Sequence, residues 1–136
     1  MALFGTQEWL NEFKNALNAS ASYEDAAKEW EGDFYFIALP DETSTDEIIM
    51  YLNLQYGKCL EAIKIEDASL RTPEFTVKGP TDSWFKVATN ELDPMQAIMT
   101  GKLSLKGNMQ KVMKNLKAAN ELVNSLKLVP TELPKQ

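Results

Sequence analysis

Residues 93–116 read DPMQAIMTGKLSLKGNMQKVMKNL and hold four of the six methionines, Met95, Met99, Met109 and Met113, together with Gly101 and Gly107. The signals run helix, strand, helix. Asp93 suits an N-cap, Pro94 the first helical position and Gly101 the end of a short helix. KLSLK then alternates, with Leu103 and Leu105 on one side. Asn108 caps a helix predicted over residues 109–128, which at 1.5 Å per residue would be about 30 Å long. Its apolar face is Met109, Val112, Met113, Leu116, Ala119, Val123 and Leu126, and Lys111, Lys114 and Lys117 lie off that face. The glycines are therefore punctuation. A phosphate loop of the Walker type ends in Gly-Lys-Ser/Thr and opens a helix. Here Gly-Lys comes first and opens a strand, so order and spacing both argue against nucleotide binding.

Upstream, Pro80 marks a break, and TDSWFKVATNEL reads as a helix from Asp82. The texture before it is β-rich. DFYFIALP is apolar on both faces. DEIIMYLNLQYGKCLEAIKIED reads as a hairpin with Gly57 at the turn and with Ile48, Met50, Leu52, Leu54 and Tyr56 on one face. EFTVKG adds a strand with Phe75 and Val77 on one side. At the N-terminus, Trp9, Phe13 and Leu17 recur at helical spacing beside Leu10, with Thr6 as cap and Glu8 in the first turn, over residues 6–19. SYEDAAKEWEG reads as a second helix, with Ser22 as cap and Gly32 just past its end. The fold class is α+β: a five-stranded, mostly antiparallel sheet covered on one face by about five helices. At 136 residues the chain is expected to be one domain, 1–136, with its core over 6–128 and residues 129–136 as a loose tail.

Composition removes several functions. The net charge of −6 argues against nucleic acid, whose phosphates call for a basic face. The charge is uneven: residues 1–100 carry 7 basic and 18 acidic side chains, residues 101–136 carry 7 and 2. There is no histidine, which takes away the Ser-His-Asp and Cys-His arrangements and most zinc sites. The single cysteine, Cys59, allows no internal disulfide and reads as a small packed hydrophobe. The carboxylates form no calcium-loop pattern and no defined acid/base pair. No catalytic residue, metal site or cofactor is expected. The N-terminus lacks a signal-peptide pattern, no apolar run reaches transmembrane length, and ELPKQ is no peroxisomal address, so the cytoplasm is the expected location.

The informative material is apolar. Methionine is flexible and polarisable, fills gaps, and suits surfaces that repack around variable guests. Four methionines flank one strand, with Trp84 and Phe85 on the preceding helix. A pocket between sheet and helices there could hold one alkyl chain. Twelve buried methylenes at about 0.8 kcal/mol each give about 10 kcal/mol gross, and micromolar binding needs about 8 kcal/mol net. The first helix is a second apolar surface with a bilayer as conceivable partner, but Glu8 and Glu12 fit an anionic membrane poorly.

The segment SWFKVATNELDPMQAIMTGKLSLKGNMQKVMKNL resembles the C-terminal half of the sterol carrier protein-2 family. An aromatic helix ends at Asp-Pro, MQAIMTGKLSLKGN follows, and a helix opens with MQKVMKNL. The order of elements over residues 6–128 also resembles that fold. The resemblance implies an apolar tunnel between sheet and helices, and non-enzymatic binding of a fatty acid, fatty acyl-CoA, phospholipid or sterol-like ligand. It places Trp84, Phe85, Met95, Ile98, Met99, Leu103, Leu105, Met109, Val112, Met113 and Leu116 in the segments that wall the tunnel. Lys102, Lys106 or the helix lysines would steer an anionic headgroup, and transient membrane contact is expected of such a carrier. Two departures stand out: the peroxisomal tail of the animal members is missing, and KNLKAANELVNSLK is longer and more polar than the family's end. The rival reading is an accessory or oligomerisation module with a solid core, whose acidic and basic regions pair between subunits. An enzyme acting on a lipid thioester is the weakest reading, for want of histidine.

Overall fold

The computed structural model describes residues 2–42 and 44–132. A short strand, β1 (Ala2–Leu3), leads into helices α1 (Gln7–Ala19) and α2 (Ala21–Ala26). Thr6 caps α1 by accepting from the Trp9 N–H, as the sequence predicts. Strands β2 (Glu31–Leu39), β3 (Ile48–Gln55), β4 (Lys58–Ile65) and β5 (Phe75–Pro80) follow, then α3 (Thr81–Ala88), α4 (Pro94–Met99), β6 (Ser104–Lys106), α5 (Met109–Lys114), α6 (Leu116–Asn124), a 3-10 turn (Ser125–Leu128) and β7 (Thr131–Glu132). Five strands form one sheet in the order β4-β3-β2-β5-β6. Its pairs are antiparallel except β2–β5, which is parallel. The α+β class with a mostly antiparallel five-stranded sheet is thus observed.

Strand β2 sits in the middle and is apolar on both faces. Phe34, Phe36 and Ala38 face the helices, where the core also takes Met50, Leu52, Leu54, Phe75, Val77 and the buried α1 side chains Trp9, Leu10, Phe13 and Leu17. Trp84 lies against Phe36 at 4.9 Å between ring centroids and donates its indole N–H to the Ile37 carbonyl at 3.0 Å. On the opposite face Tyr35, Ile37, Ile49, Tyr51 and Ile65 form a second buried cluster. The segment after β4 is tied to it: Tyr35 Oη donates to the Ala68 carbonyl at 2.8 Å and accepts from the Arg71 N–H at 3.0 Å. The Arg71 guanidinium stands 4.7 Å over the Tyr51 ring.

Four expectations need correction. First, α2 is capped by Ser20 rather than Ser22 and stops at Ala26, and Gly32 lies inside β2. The cause is Trp30, buried at 5.2 Å from the Phe75 ring, which draws the chain into the sheet early. Second, Tyr56 leaves the apolar face. It forms the hairpin turn with Gly57, both at positive φ (49° and 84°), and is exposed. Third, the long helix is broken. Asn115 (φ −129°, ψ 40°) separates α5 from α6, and its side-chain amide donates to the Lys111 carbonyl at 2.9 Å, competing with helical bonding. Fourth, residues 129–132 are not loose: Val129 is buried, and β7 pairs with β1 in parallel. Thr131 Oγ1 accepts from the Trp9 indole at 3.0 Å, which ties this end to the core. Residues 133–136 lie outside the described residues.

Gly107 connects β6 to α5 at φ +141°, and a Cβ there would strike the Phe75 ring and stand 2.7 Å from the Glu74 carbonyl oxygen. Gly107→Ala should therefore lower stability by about 2 kcal/mol or more, measured as a shift in urea midpoint at unchanged slope.

Two ionisable groups in the core hold their protons tightly. Burial pushes the Cys59 thiol up from 9.0 to about 11. Burial, then the neighbouring Cys59, raises the Tyr23 phenol well above 10.0. The unfolded chain releases both protons first, so stability should be level near neutral pH and fall as pH rises above about 9. The Tyr23 hydroxyl is buried without a hydrogen-bond partner. Tyr23→Phe should be neutral to about 1 kcal/mol stabilising at pH 7 and should reduce the alkaline loss, both read from urea unfolding across pH.

Candidate functional site

The α5–α6 break decides the geometry of the site. A straight helix would lay one apolar face along the sheet. The bend instead leaves a cavity of about 140 Å³ between them. Its floor is Phe34, Val77 and Leu105 from β2, β5 and β6; Pro94, Met95 and Ile98 of α4 close one side. Met109, Val112 and Met113 of α5 and Leu116, Ala119, Asn120 and Val123 of α6 form the roof. Among the described residues no ionisable side chain lines it, and Asn120 is the one polar side chain there. Val77 and Leu105 are cross-strand partners in the β5–β6 pair, which sets them side by side in the floor.

Seven of the residues expected from the sequence come together here: Met95, Ile98, Leu105, Met109, Val112, Met113 and Leu116. The other four do not line it. Trp84 is fully buried among Phe4 and Phe36 in the main core. Leu103 is buried against Gly79, whose missing side chain makes the room. Phe85 is half-buried on α3, and Met99 points to solvent. Phe34, Val77, Pro94, Ala119, Asn120 and Val123 were missed as site residues. Ala119 and Val123 continue the helical spacing of Val112 and Leu116, so that signal was present. Phe34 and Val77 reach the site through strand pairing between distant segments, which periodicity does not show.

The outer wall is thin. Met109, Met113 and Leu116 line the cavity on one side and are exposed on the other. Helix α5 has only six residues, far below the length at which an isolated helix holds itself in water. Lys111 anchors it. Its ammonium lies 3.1 Å from both Glu74 carboxylate oxygens, donates to the Glu31 carbonyl, and stands 5.2 Å over the Trp30 ring. Beyond the wall is an open depression in which Met113 and Leu116 meet Lys114, Asn115 and Lys117, with Asp25, Lys28 and Glu29 of the α2 end opposite.

Cys59 is buried in the core away from this cavity, and its raised pKa keeps it a neutral thiol near pH 7. Among the described residues no group of three or more His, Cys, Asp or Glu could hold a metal ion. Among the same residues, no helix is long and apolar enough to cross a membrane.

Comparisons with known proteins agree with this architecture. No curated protein matches the sequence. A crystal structure of sterol carrier protein 2 superposes with a TM-score of 0.83 at 29% identity, over 93% of this chain and 98% of that one. The solution structure of a conserved hypothetical protein from Thermus thermophilus gives 0.80 at 28% identity, over 95% and 91%. Sterol carrier protein 2 from Yarrowia lipolytica, in its apo form, shares the fold at 16% identity with a TM-score of 0.60, over 92% and 95%. The SCP-2 sterol transfer family model matches residues 10–120. With most of its length matched and its sheet and helices in the same arrangement, the chain belongs to the SCP-2 sterol transfer family, a family of lipid-binding and lipid-transfer proteins.

Proposed function

We propose that this protein is a non-covalent carrier that holds the hydrocarbon part of one lipid in the cavity between the sheet and α4, α5 and α6. The carrying observation is the lining: apolar side chains from three strands and three helices converge there with no ionisable group among them. A fatty acid, fatty acyl-CoA, phospholipid or sterol-like molecule has the matching apolar part. Lys114 and Lys117, outside the wall, would meet an anionic headgroup. The proposed carrier performs no covalent step.

The volume adds a condition. Ligand pockets run to roughly 300–1,000 Å³, and this cavity has about 140 Å³. That lies below the usual range, so on this reading the loaded form is wider. The thin α5 wall is the part built to yield, since its methionines rotate freely and Lys111 is its charged anchor. The small volume is also what favours the rival reading of a solid accessory module.

Native mass spectrometry and displacement of a fluorescent fatty acid test the proposal. Saturable micromolar binding is the expected result; no saturable binding sinks the carrier and leaves the module. Ala119→Phe, which fills the cavity from α6, should weaken binding at least about tenfold while the protein stays folded by circular dichroism. Lys111→Ala should speed release of the fatty acid in stopped-flow mixing, because α5 then opens against a weaker anchor; an unchanged release rate would place the opening elsewhere.

A further inference from the structure

The lining of the cavity is uneven in exposure and in stiffness. Met109, Met113 and Leu116 are 46%, 63% and 39% exposed, whereas Phe34 is 2% exposed. Among the described residues Phe34 is also the one aromatic side chain of the lining. Its ring stacks on Phe75 at 5.1 Å between centroids, stands edge-on to Phe36 at 6.0 Å and lies 5.9 Å from Trp30. Those three rings are buried, and so is Leu52, the cross-strand partner of Phe34 in β3. None of these four residues lines the cavity. Phe34 thus bounds the empty space on one side and belongs to the packed core on the other. A methionine wall can repack, but a ring held among three others moves aside only if they move with it.

We infer that Phe34 is the end stop of the cavity, the side chain that sets how long a straight acyl chain the protein takes. This rests on the carrier reading and deepens it: the ligands it sorts are unbranched acyl chains, and the property sorted is length. A chain entering past the exposed wall of α5 lays its methylenes against the lining. Each one buried tightens binding about fourfold. The gain stops where the terminal methyl meets the Phe34 ring. A longer chain must then push into Trp30, Phe36 and Phe75 or leave its surplus methylenes in water. The exposed wall cannot set such a limit, because it is the side that yields and the side from which the chain enters.

Displacement of the fluorescent fatty acid by saturated straight-chain acids of about 8 to about 18 carbons reads the stop. The wild-type protein should bind about fourfold tighter per added methylene up to one length, and no tighter beyond it. Phe34→Ala should move that length up by about two carbons or more, because the space left by the ring joins the cavity and the surrounding core closes only in part. Phe34→Leu is milder; it should move the length in the same direction by less, and it carries the test where the alanine variant does not fold. Met50→Ala opens space in the packed half, away from the lining, and should leave the length at the wild-type value. Wild-type affinity that rises to the longest acid without levelling, a limit that neither Phe34 variant moves, or an equal move with Met50→Ala would each overturn the end stop and leave the carrier standing. No saturable binding of any acid by the wild-type protein would remove both.

Discussion

Burial of both faces of β2 is the constraint on which the remaining structure hangs. Phe34 and Phe36 point one way and Tyr35 and Ile37 the other, and all four are buried. A strand like that cannot lie at an edge or under a single layer. Its flanks are taken by β3 and β5, the helices cover one face, and the chain after β4 is held to the other through Tyr35 and Arg71. The parallel β2–β5 pair follows from the same demand. The hairpin of β3 and β4 intervenes in sequence, so the chain must cross over before β5 can pair with β2 in the same direction.

The cavity is a consequence of how the covering layer ends. Helices α1 and α3 bury large aromatic side chains tightly against the sheet. Helices α4 and α5 have six residues each, and α4, α5 and α6 set no aromatic side chain over the floor: methionine, leucine, valine, alanine, isoleucine, proline and Asn120 line the space instead. Asn115 breaks the run at the point where α6 turns to pack toward α2. Tight packing in one half and a bent, methionine-walled layer in the other is a division of labour. The packed half holds the sheet in register, and in the proposed carrier the thin half is the part that changes shape. Lys111 connects the two, fixing α5 to the ends of β2 and β5 through Glu74, the Glu31 carbonyl and the Trp30 ring.

What the sequence discloses follows the locality of each signal. Caps and turns involve neighbours a few residues apart, and Thr6, Asp93, Asn108 and Gly57 act as their residue types suggest. The alternation in β3 and β5 was legible for the same reason. Asn115 was not, because one asparagine inside a helical pattern breaks the helix only where tertiary packing rewards the bend. The burial of residues 129–132 rests on an indole–hydroxyl bond between Trp9 and Thr131, a separation that no local pattern encodes. In the site, the methionines, Leu105 and Val112 could be read from helix and strand period. Trp84 and Leu103 have the same apolar character and yet belong to the solid core, since periodicity identifies an inward face without saying whether the interior beside it is filled.

In the proposed carrier, the α4–α5–α6 cavity takes up an apolar chain by yielding at its methionine wall. Methyl NMR of the methionines during titration with a fatty acid tests it most directly, because these methyls report from inside and outside the site in one spectrum. Saturable shifts are expected for Met95, Met109 and Met113, with Met50, buried in the packed half, and Met99, outside the cavity, holding their positions. Shifts of Met50 equal to those of the three wall residues, or no saturable shift at the wall, would contradict it.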